Sequence, residues 1–331
     1  MNQPLSQLPE QQRPVVFIMG PTASGKTDLA IRLVEQYPFE IISVDSALVY
    51  KDMNIGTAKP TAEELQQAPH RLIDFLDPAQ SYSTAQFRKD ALAAIAEIHG
   101  QNKIPLLVGG TMLYHRSLLY GISELPAANE AIRAQLDAQM QQMGKQYMHD
   151  RLAEIDPDSA RKIHPNDPQR VQRALEVYQI SGQTMSQLQQ ASQAQALPFE
   201  NHKIVIAPRS RALLRERIAL RFQQMIEQGF IEEVQQLYQR GDLDLSMPSM
   251  RAVGYRQVWE YLEGKMSREE MIERAITITR QFAKRQMTWL RREQDGLWLA
   301  TEDNDNVHQA VEYLSPVIRK AEPERTAGNK T

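Results

Sequence analysis

The feature that most constrains the fold is a glycine-containing loop directly after a short apolar run. The run Val15–Met19 reads Val-Val-Phe-Ile-Met, which is typical of a parallel strand buried on both faces. The next residues, Gly20, Pro21, Thr22, Ala23, Ser24, Gly25, Lys26 and Thr27, match the pattern G-x-x-x-x-G-K-[ST] in full. A helix is predicted from Lys26 to Gln36. A strand, this loop and a helix in that order predict a P-loop that binds a di- or triphosphate through backbone N–H groups and the helix N-terminus.

Strands alternate with helices on both sides of this loop. Strands are predicted at Glu40–Val44, Ile104–Val108, Lys203–Ala207 and Leu297–Leu299, and a helix with one apolar face at Thr84–His99. The pattern predicts an α/β fold, a P-loop NTPase-like doubly wound parallel sheet. Residues 122–202 contain no convincing strand and predict an inserted all-helical domain, so the core comprises residues 14–121 and 203–317. Long helices are predicted over 210–240 and 267–292, and disordered tails at 1–13 and 319–331.

Side chains within and beside the loop indicate chemistry on a phosphate. Lys26 would supply a positive charge to the phosphates, and the Thr27 hydroxyl is placed to ligate Mg²⁺. The GTPase signature N-K-x-D is missing, and no acid follows the strand Ile104–Val108. Asp45 follows the strand Glu40–Val44, at the sheet edge where open α/β sheets bind ligands. It is predicted to be a metal-linked acid or a general base, with an ordinary turn residue as the alternative.

Charge is unevenly distributed in this chain, whose net charge is only −3. Between Arg274 and Arg292 lie six basic residues and no acid: Arg274, Arg280, Lys284, Arg285, Arg291 and Arg292. This basic segment is either a nucleic-acid contact or a solvated helix face.

The chain has no cysteine, no apolar run of membrane-spanning length and a polar N-terminus unlike a signal peptide. We therefore expect a cytoplasmic protein with no membrane partner. We also expect a monomer.

Several motifs together resemble one enzyme family. In addition to the P-loop they are Asp45-Ser46, Ile55-Gly-Thr-Ala-Lys-Pro60, Leu72-Ile-Asp74, Val108-Gly-Gly-Thr-Met-Leu-Tyr114, Gln169-Arg-Val-Gln-Arg173, Arg251-Ala-Val-Gly-Tyr-Arg256 and Lys284-Arg-Gln-Met-Thr-Trp-Leu-Arg291. In order and spacing they resemble the bacterial tRNA dimethylallyltransferases, from about Val15 to Ala300. The chain departs from the family pattern at Leu48, where many members have Gln, and at His70-Arg71, where a His-His pair is more usual.

The resemblance implies transfer of a dimethylallyl group from its diphosphate to N6 of the adenosine on the 3′ side of the anticodon. It implies that the P-loop holds the donor diphosphate rather than ATP, with Mg²⁺ as cofactor, and that the anticodon stem-loop of tRNA is the partner. By position, Asp45 resembles the general base and Thr111 a residue that contacts the substrate adenosine. Arg217 resembles the diphosphate ligand, although Arg221 lies one turn away on the same helix face.

The same resemblance implies which residues contact tRNA. They are Asp45, Ser46, Ala47 and Leu48; Thr111; Arg133; Gln169, Arg170, Val171, Gln172 and Arg173; Arg251, Ala252, Val253, Gly254, Tyr255 and Arg256; and Lys284, Arg285, Gln286, Met287, Thr288, Trp289, Leu290 and Arg291. Two other functions fit the P-loop. One is a small-molecule kinase, which would turn over ATP and need no basic helix. The other is a nucleotide-switched RNA-binding protein without transfer chemistry.

Overall fold

A six-stranded parallel sheet forms the centre of the structure, a computed structural model that describes residues 3–123, 125–191 and 196–321. Its strands are β1 Pro14–Met19, β2 Phe39–Ser43, β3 His70–Arg71, β4 Ile104–Gly109, β5 Glu200–Ala207 and β6 Leu297–Ala300. They lie in the order β3-β2-β4-β1-β5-β6, and every pair is parallel. The predicted α/β fold with a parallel sheet is confirmed. Only β3 was not predicted, because two residues at a sheet edge carry no apolar pattern.

Every residue of β1, β2 and β4 is buried, and helices pack on the sheet. The α-helices of the described chain are α1 Lys26–Gln36, α2 Ala62–Gln67, α3 Thr84–Gly100, α4 Met112–Leu119, α5 Glu130–Ile155, α6 Pro157–Lys162, α7 Pro168–Ser181, α8 Met185–Ala191, α9 Arg211–Glu227, α10 Phe230–Gln239, α11 Tyr255–Leu262, α12 Arg268–Leu290 and α13 Asn306–Ala321. Of these, α1, α3 and α13 pack on the sheet. Side-chain caps fix several starts: Ser83 and Ser267 both form capping boxes. None of these helices is long and apolar enough to cross a membrane.

The chain divides into two compact units, one of residues 118–197 and one formed by the segments on either side. The described part of 118–197 contains helices α5 to α8 and has its own core, including Leu136, Met148, Leu152 and Leu175. Helix α5 is interrupted at Gly144, whose φ of +86° is left-handed. The other unit contains the whole sheet, and one of its apolar clusters joins β1, α1 and α13.

The terminal segments are more ordered than the sequence predicts. Residues 3–13 form 3₁₀ turns at Leu5–Gln7 and Glu10–Gln12. The Leu5 side chain is fully buried, and its N–H donates to Asn102 Oδ1 at 2.9 Å. At the other end α13 extends to Ala321, so residues 319–321 are helical. Prediction of disorder was wrong for these residues because a few apolar side chains, such as Leu5 and Ile318, are enough to anchor them. Residues 1–2 and 322–331 lie outside the described residues.

Candidate active site

The P-loop joins β1 to α1 in a conformation that explains its glycines. Gly25 caps α1 with a φ of +89°, a left-handed value that favours glycine. A Cβ on Gly20 would lie 2.3 Å from the Ile206 carbonyl oxygen, so the loop packs directly on β5. The Ser24 hydroxyl is buried and has no hydrogen-bond partner among the described residues. A buried polar atom of this kind favours a phosphate oxygen as its partner.

Lys26 is the charged member of the loop. Its Nζ donates to the Pro21 carbonyl at 2.7 Å. Burial and the positive charge of Arg221 lower the pKa of Lys26 to about 7, although the nearby Asp45 carboxylate partly opposes the shift. An anion bound in the loop would favour the ammonium form. The position therefore suits a ligand with strong negative charge.

Asp45 and Thr111, both predicted from the sequence, are brought together by the pairing of β2 with β4. Beyond the two strands, Thr111 N–H donates to the Val44 carbonyl at 3.2 Å, and Ser46 N–H donates to Thr111 Oγ1 at 3.1 Å. Gly109 is needed for this approach, since a Cβ there would lie 2.0 Å from the Val44 carbonyl oxygen. Asp45 Oδ1 accepts from the Ala47 N–H at 2.8 Å, which orients the half-buried carboxylate.

Two arginines of α9 lie beside the P-loop. Arg217 Nε donates to the Ala23 carbonyl at 2.8 Å, and the residue lines a polar cavity with Ser24 and Thr301. Arg221, one turn later, lines a second cavity together with Asp45. Burial lowers the pKa of Arg221, as does Arg217, while Asp45 raises it. The sequence offered both arginines as diphosphate ligands and the family resemblance favoured Arg217; in the structure Arg217 contacts the P-loop directly and Arg221 lines the cavity that contains Asp45.

The second cavity combines polar and apolar walls in a volume of about 330 Å³. Its polar lining includes Thr22, Asp45, Thr111 and Arg221. Its apolar lining includes Ile218, Phe222, Met225, Val253 and Phe282. Thr22 and Ala23 of the P-loop therefore share one chamber with the candidate base, and its apolar surface suits a small hydrocarbon group.

A buried glutamate that sequence analysis missed supports one wall of this chamber. Glu233 accepts from the N–H groups of Asn54, Ile55 and Gly56 at 2.8, 2.7 and 3.2 Å. The Tyr255 hydroxyl also donates to Glu233, at 2.5 Å. The carboxylate thereby fixes the Ile55–Gly56 segment. No local signal reveals this role, because a glutamate on an amphipathic helix normally faces solvent.

In the two C-terminal stretches predicted to contact RNA, Arg251–Arg256 and Lys284–Arg291, some side chains are buried and others are exposed. The side chains of Tyr255, Gln286 and Leu290 are buried inside the protein, which corrects the expectation that these stretches contact RNA throughout. Arg256 and Arg274 each pair with Glu260 of α11 at 3.0 Å. Arg274, counted in the basic segment, therefore shares one carboxylate with Arg256, and that acid lies outside the segment.

A basic groove lies between α9 and α12, with a volume of about 410 Å³. Six basic residues line it: Arg209, Arg211, Arg215, Arg280, Lys284 and Arg291. Apolar side chains, including Leu214, Ala283 and Met287, also line it, and no acid is among its lining residues. Arg209 pairs with Asp303 at 2.7 Å. For the other five we find no ion pair within the described ranges. One wall of the groove comes from the basic segment and the other from α9, which the sequence did not connect with it.

In residues 118–197 the predicted RNA contacts surround a buried acid. Glu176 is 0% exposed and accepts from Arg133 Nε at 3.0 Å and from Arg173 at 2.7 Å. Burial raises the pKa of Glu176, but hydrogen bonds from Arg173, the Asn129 backbone and Arg133 outweigh it and keep the pKa below its usual value. Val171 is buried, whereas Gln169 and Arg170 are exposed. The two arginines at Glu176 are thus held in place, and Gln169 and Arg170 are freely accessible.

Comparison with known proteins identifies the family. A model of the IPP transferase family matches residues 48–293. The structure is similar to the tRNA isopentenylpyrophosphate transferase of Bacillus halodurans, with 36% identity, 94% of this chain and 98% of that chain covered, and a TM-score of 0.68. The Staphylococcus epidermidis enzyme has 34% identity, 93% and 99% coverage and a TM-score of 0.65. A eukaryotic dimethylallyltransferase acting on tRNA has 28% identity, 95% and 81% coverage and a TM-score of 0.79. The chain belongs to the IPP transferase family.

Proposed function

We propose that this chain transfers a dimethylallyl group from dimethylallyl diphosphate to N6 of the adenosine on the 3′ side of a tRNA anticodon. The observation that carries the proposal is that Thr22 and Ala23 of the P-loop line the same partly apolar chamber as Asp45 and Thr111. The solved relatives, which are described as tRNA isopentenylpyrophosphate transferases or as acting on tRNA, support it. The family match does not support the small-molecule kinase alternative.

The P-loop binds the donor diphosphate in this proposal. Lys26, the buried Ser24 hydroxyl and the backbone N–H groups at the start of α1 face the phosphate oxygens. Arg217 and Arg221 add positive charge from α9. The main barrier to cleaving the allylic C–O bond is the charge that collects on the departing diphosphate. Preorganised positive groups lower that barrier.

Mg²⁺ fits the same site. No group of three or more His, Asp or Glu side chains is arranged as a metal cage in the described part of the chain. This agrees with the usual binding of Mg²⁺ mainly through substrate phosphates and water. The exposed Thr27 hydroxyl, a hard oxygen donor at the start of α1, is the residue that would hold it. When bound, the ion neutralises charge on the diphosphate.

Asp45 accepts the proton released in the transfer step. The adenine amine is a weak nucleophile, since its lone pair is delocalised into the ring, and a carboxylate is too weak to deprotonate it in advance. As N6 forms its bond to the allylic carbon, the C–O bond breaks and diphosphate leaves with the electron pair. The amine becomes acidic during that step, and Asp45 takes its proton. The hydrogen bond from Ala47 N–H to Oδ1 keeps the carboxylate oriented and leaves Oδ2 for the proton.

Transfer RNA is held by the basic groove and by exposed side chains of residues 118–197. The five groove cations without an ion pair in the described structure suit a phosphate backbone, and the absence of acids from the lining favours a polyanion. The target adenosine must leave its stack to reach the chamber, which costs a few kcal/mol, less in a loop than in a duplex. Backbone contacts offset that cost. All these groups come from one chain, so a monomer suffices.

Incubation with radiolabelled dimethylallyl diphosphate and unmodified tRNA tests the proposal. Label should appear in the RNA and map to the adenosine beside the anticodon, and a tRNA with guanosine at that position is the control. Dimethylallyl diphosphate should also protect the protein from thermal unfolding better than ATP does, because a ligand stabilises the state it binds. Absence of label would contradict the proposal, and stronger protection by ATP would favour the kinase alternative.

A further inference from the structure

Gln286 lies in one of the stretches expected to contact RNA, yet its side chain points into the protein. Only 4% of the residue is exposed. Its Oε1 accepts from the Thr22 N–H at 3.0 Å, and its Nε2 donates to the Gly110 carbonyl at 2.8 Å. The backbone N–H can only donate and the carbonyl can only accept, so chemistry fixes the orientation of the amide. The amide oxygen and the amide nitrogen are thus each hydrogen-bonded to a backbone group, and the two backbone groups belong to different loops.

The two loops that Gln286 joins carry the two halves of the proposed reaction. Thr22 belongs to the P-loop, which binds the donor diphosphate. Gly110 directly precedes Thr111, whose hydroxyl accepts from Ser46 N–H next to Asp45. One amide therefore spans the donor cradle and the loop that supports the base.

The packing around this amide leaves little room for other arrangements. A Cβ on Gly110 would lie 2.4 Å from Gln286 Nε2 and 3.3 Å from the Gly20 carbonyl oxygen. Ala283 and Leu290, three residues before and four residues after Gln286, are also buried, so the three lie on the buried side of α12. A long helix thus anchors the amide, and a shorter side chain at this position would not reach both loops.

We propose that Gln286 is a positioning residue that holds the donor diphosphate and the base loop at a fixed separation for the transfer step. The inference rests on the proposed function. Gln286 touches neither substrate; it acts through Thr22 and Gly110. A misplacement of about 1 Å in the reacting groups can lower a rate by about 10²-fold, so the effect should appear in kcat more than in substrate binding.

Two variants test this inference. Gln286→Glu replaces the side-chain NH₂ group by an oxygen. The variant keeps the acceptor for Thr22 N–H and loses the donor to the Gly110 carbonyl. Gln286→Met keeps the approximate length and volume, loses both hydrogen bonds and adds no charge that would repel the diphosphate. In both variants kcat at saturating donor and tRNA should fall by about 10²-fold. The Kd of dimethylallyl diphosphate for the Met variant, measured directly, should stay near that of the unmodified protein.

Asn102 offers a matched control. Its Oδ1 accepts from Leu5 N–H at 2.9 Å and its Nδ2 donates to the Ala321 carbonyl at 3.1 Å, so it also bridges two backbone segments. Its φ of +57° is a conformation that Asp tolerates as Asn does. Asn102→Asp and Gln286→Glu should both lower the Tm, because each loses a donor to a backbone carbonyl, but Asn102→Asp should keep the normal kcat.

The outcomes separate this inference from the proposed function. If the unmodified protein transfers no label to tRNA, the proposed function fails, whatever Gln286 does. If it transfers label and Gln286→Met keeps the normal kcat, the positioning role is wrong. An equal loss of kcat in Asn102→Asp would also overturn it, because the effect would then follow from stability alone.

Discussion

Removing charge from the basic groove should change how tRNA binding depends on salt. Five exposed cations line the groove without an ion pair among the described residues: Arg211, Arg215, Arg280, Lys284 and Arg291. Each contact with single-stranded RNA contributes about 0.7 to the slope of log affinity against log salt. If all five contact phosphates, the slope is about −3.5, and affinity falls about 10²-fold between 50 and 200 mM salt.

Lys284→Ala should make this slope shallower by about 0.7, and the triple Ala variant at Arg280, Lys284 and Arg291 by about 2. The Kd is measured by filter binding or fluorescence anisotropy at five or more salt concentrations. The Kd of dimethylallyl diphosphate should not change, because that ligand belongs to the P-loop. An unaltered slope in the triple variant would show that the groove does not follow the RNA backbone.

A lysine outside the groove provides the control for general charge effects. Lys265 is exposed, precedes α12, and its Nζ lies 2.6 Å from Glu263 Oε2. Because an acid already accompanies this lysine, Lys265→Ala removes the same charge without removing a groove contact. Its salt slope should equal that of the unmodified protein. A shallower slope in this variant would mean that net charge, and not the groove, governs the salt dependence.

Three further predictions follow from single side chains. Asp45→Asn should lower single-turnover transfer by about 10²–10⁴-fold while tRNA and donor still bind, and near-normal transfer would refute its role as base. Gly109→Ala should lower the Tm strongly because its Cβ meets the Val44 carbonyl at 2.0 Å, whereas Gly100→Ala, where no atom lies within 4 Å, should not lower it. Burial and the positive charge of Lys26 lower the pKa of His115 to about 4, although the hydrogen bond to the Gly109 carbonyl opposes the shift. Because the unfolded chain takes up this proton more readily, the folded protein loses stability as the pH falls below 6.5. From pH 7 to 5 the free energy of unfolding should fall by about 2 kcal/mol more than in His115→Phe, measured by urea titration; equal losses would contradict the buried neutral state.

Local sequence predicted the elements that depend on neighbouring residues. The predicted helix Lys26–Gln36 has the observed bounds, and the predicted strand Ile104–Val108 differs by one residue. The P-loop was recognisable because its glycines, Lys26 and Thr27 are consecutive and their chemistry requires that spacing. Asp45 was identifiable as an acid at the carboxyl end of a strand.

Local sequence patterns could not predict contacts between residues that lie far apart in the chain. The basic segment at 274–292 contains no internal acid, yet Arg274 pairs with Glu260, which α11 brings alongside. Glu233 looks like a surface residue on an amphipathic helix, but it holds the N–H groups of Asn54 and Ile55 nearly 180 positions earlier in the chain. In each case the side chain's partner is set by helix packing, which no periodicity of the segment itself encodes.

The sequence alone determined the phosphate-binding loop, the parallel sheet and, through its motifs, the resemblance to one family. Only the tertiary structure decided which predicted RNA-contact residues face outward and which support the site. Gln286 shows the difference, because its hydrogen bond to Thr22 joins residues 264 positions apart. Consecutive residues specify a loop through their own backbone preferences, whereas a side chain this remote acquires its role only when folding brings α12 against the P-loop.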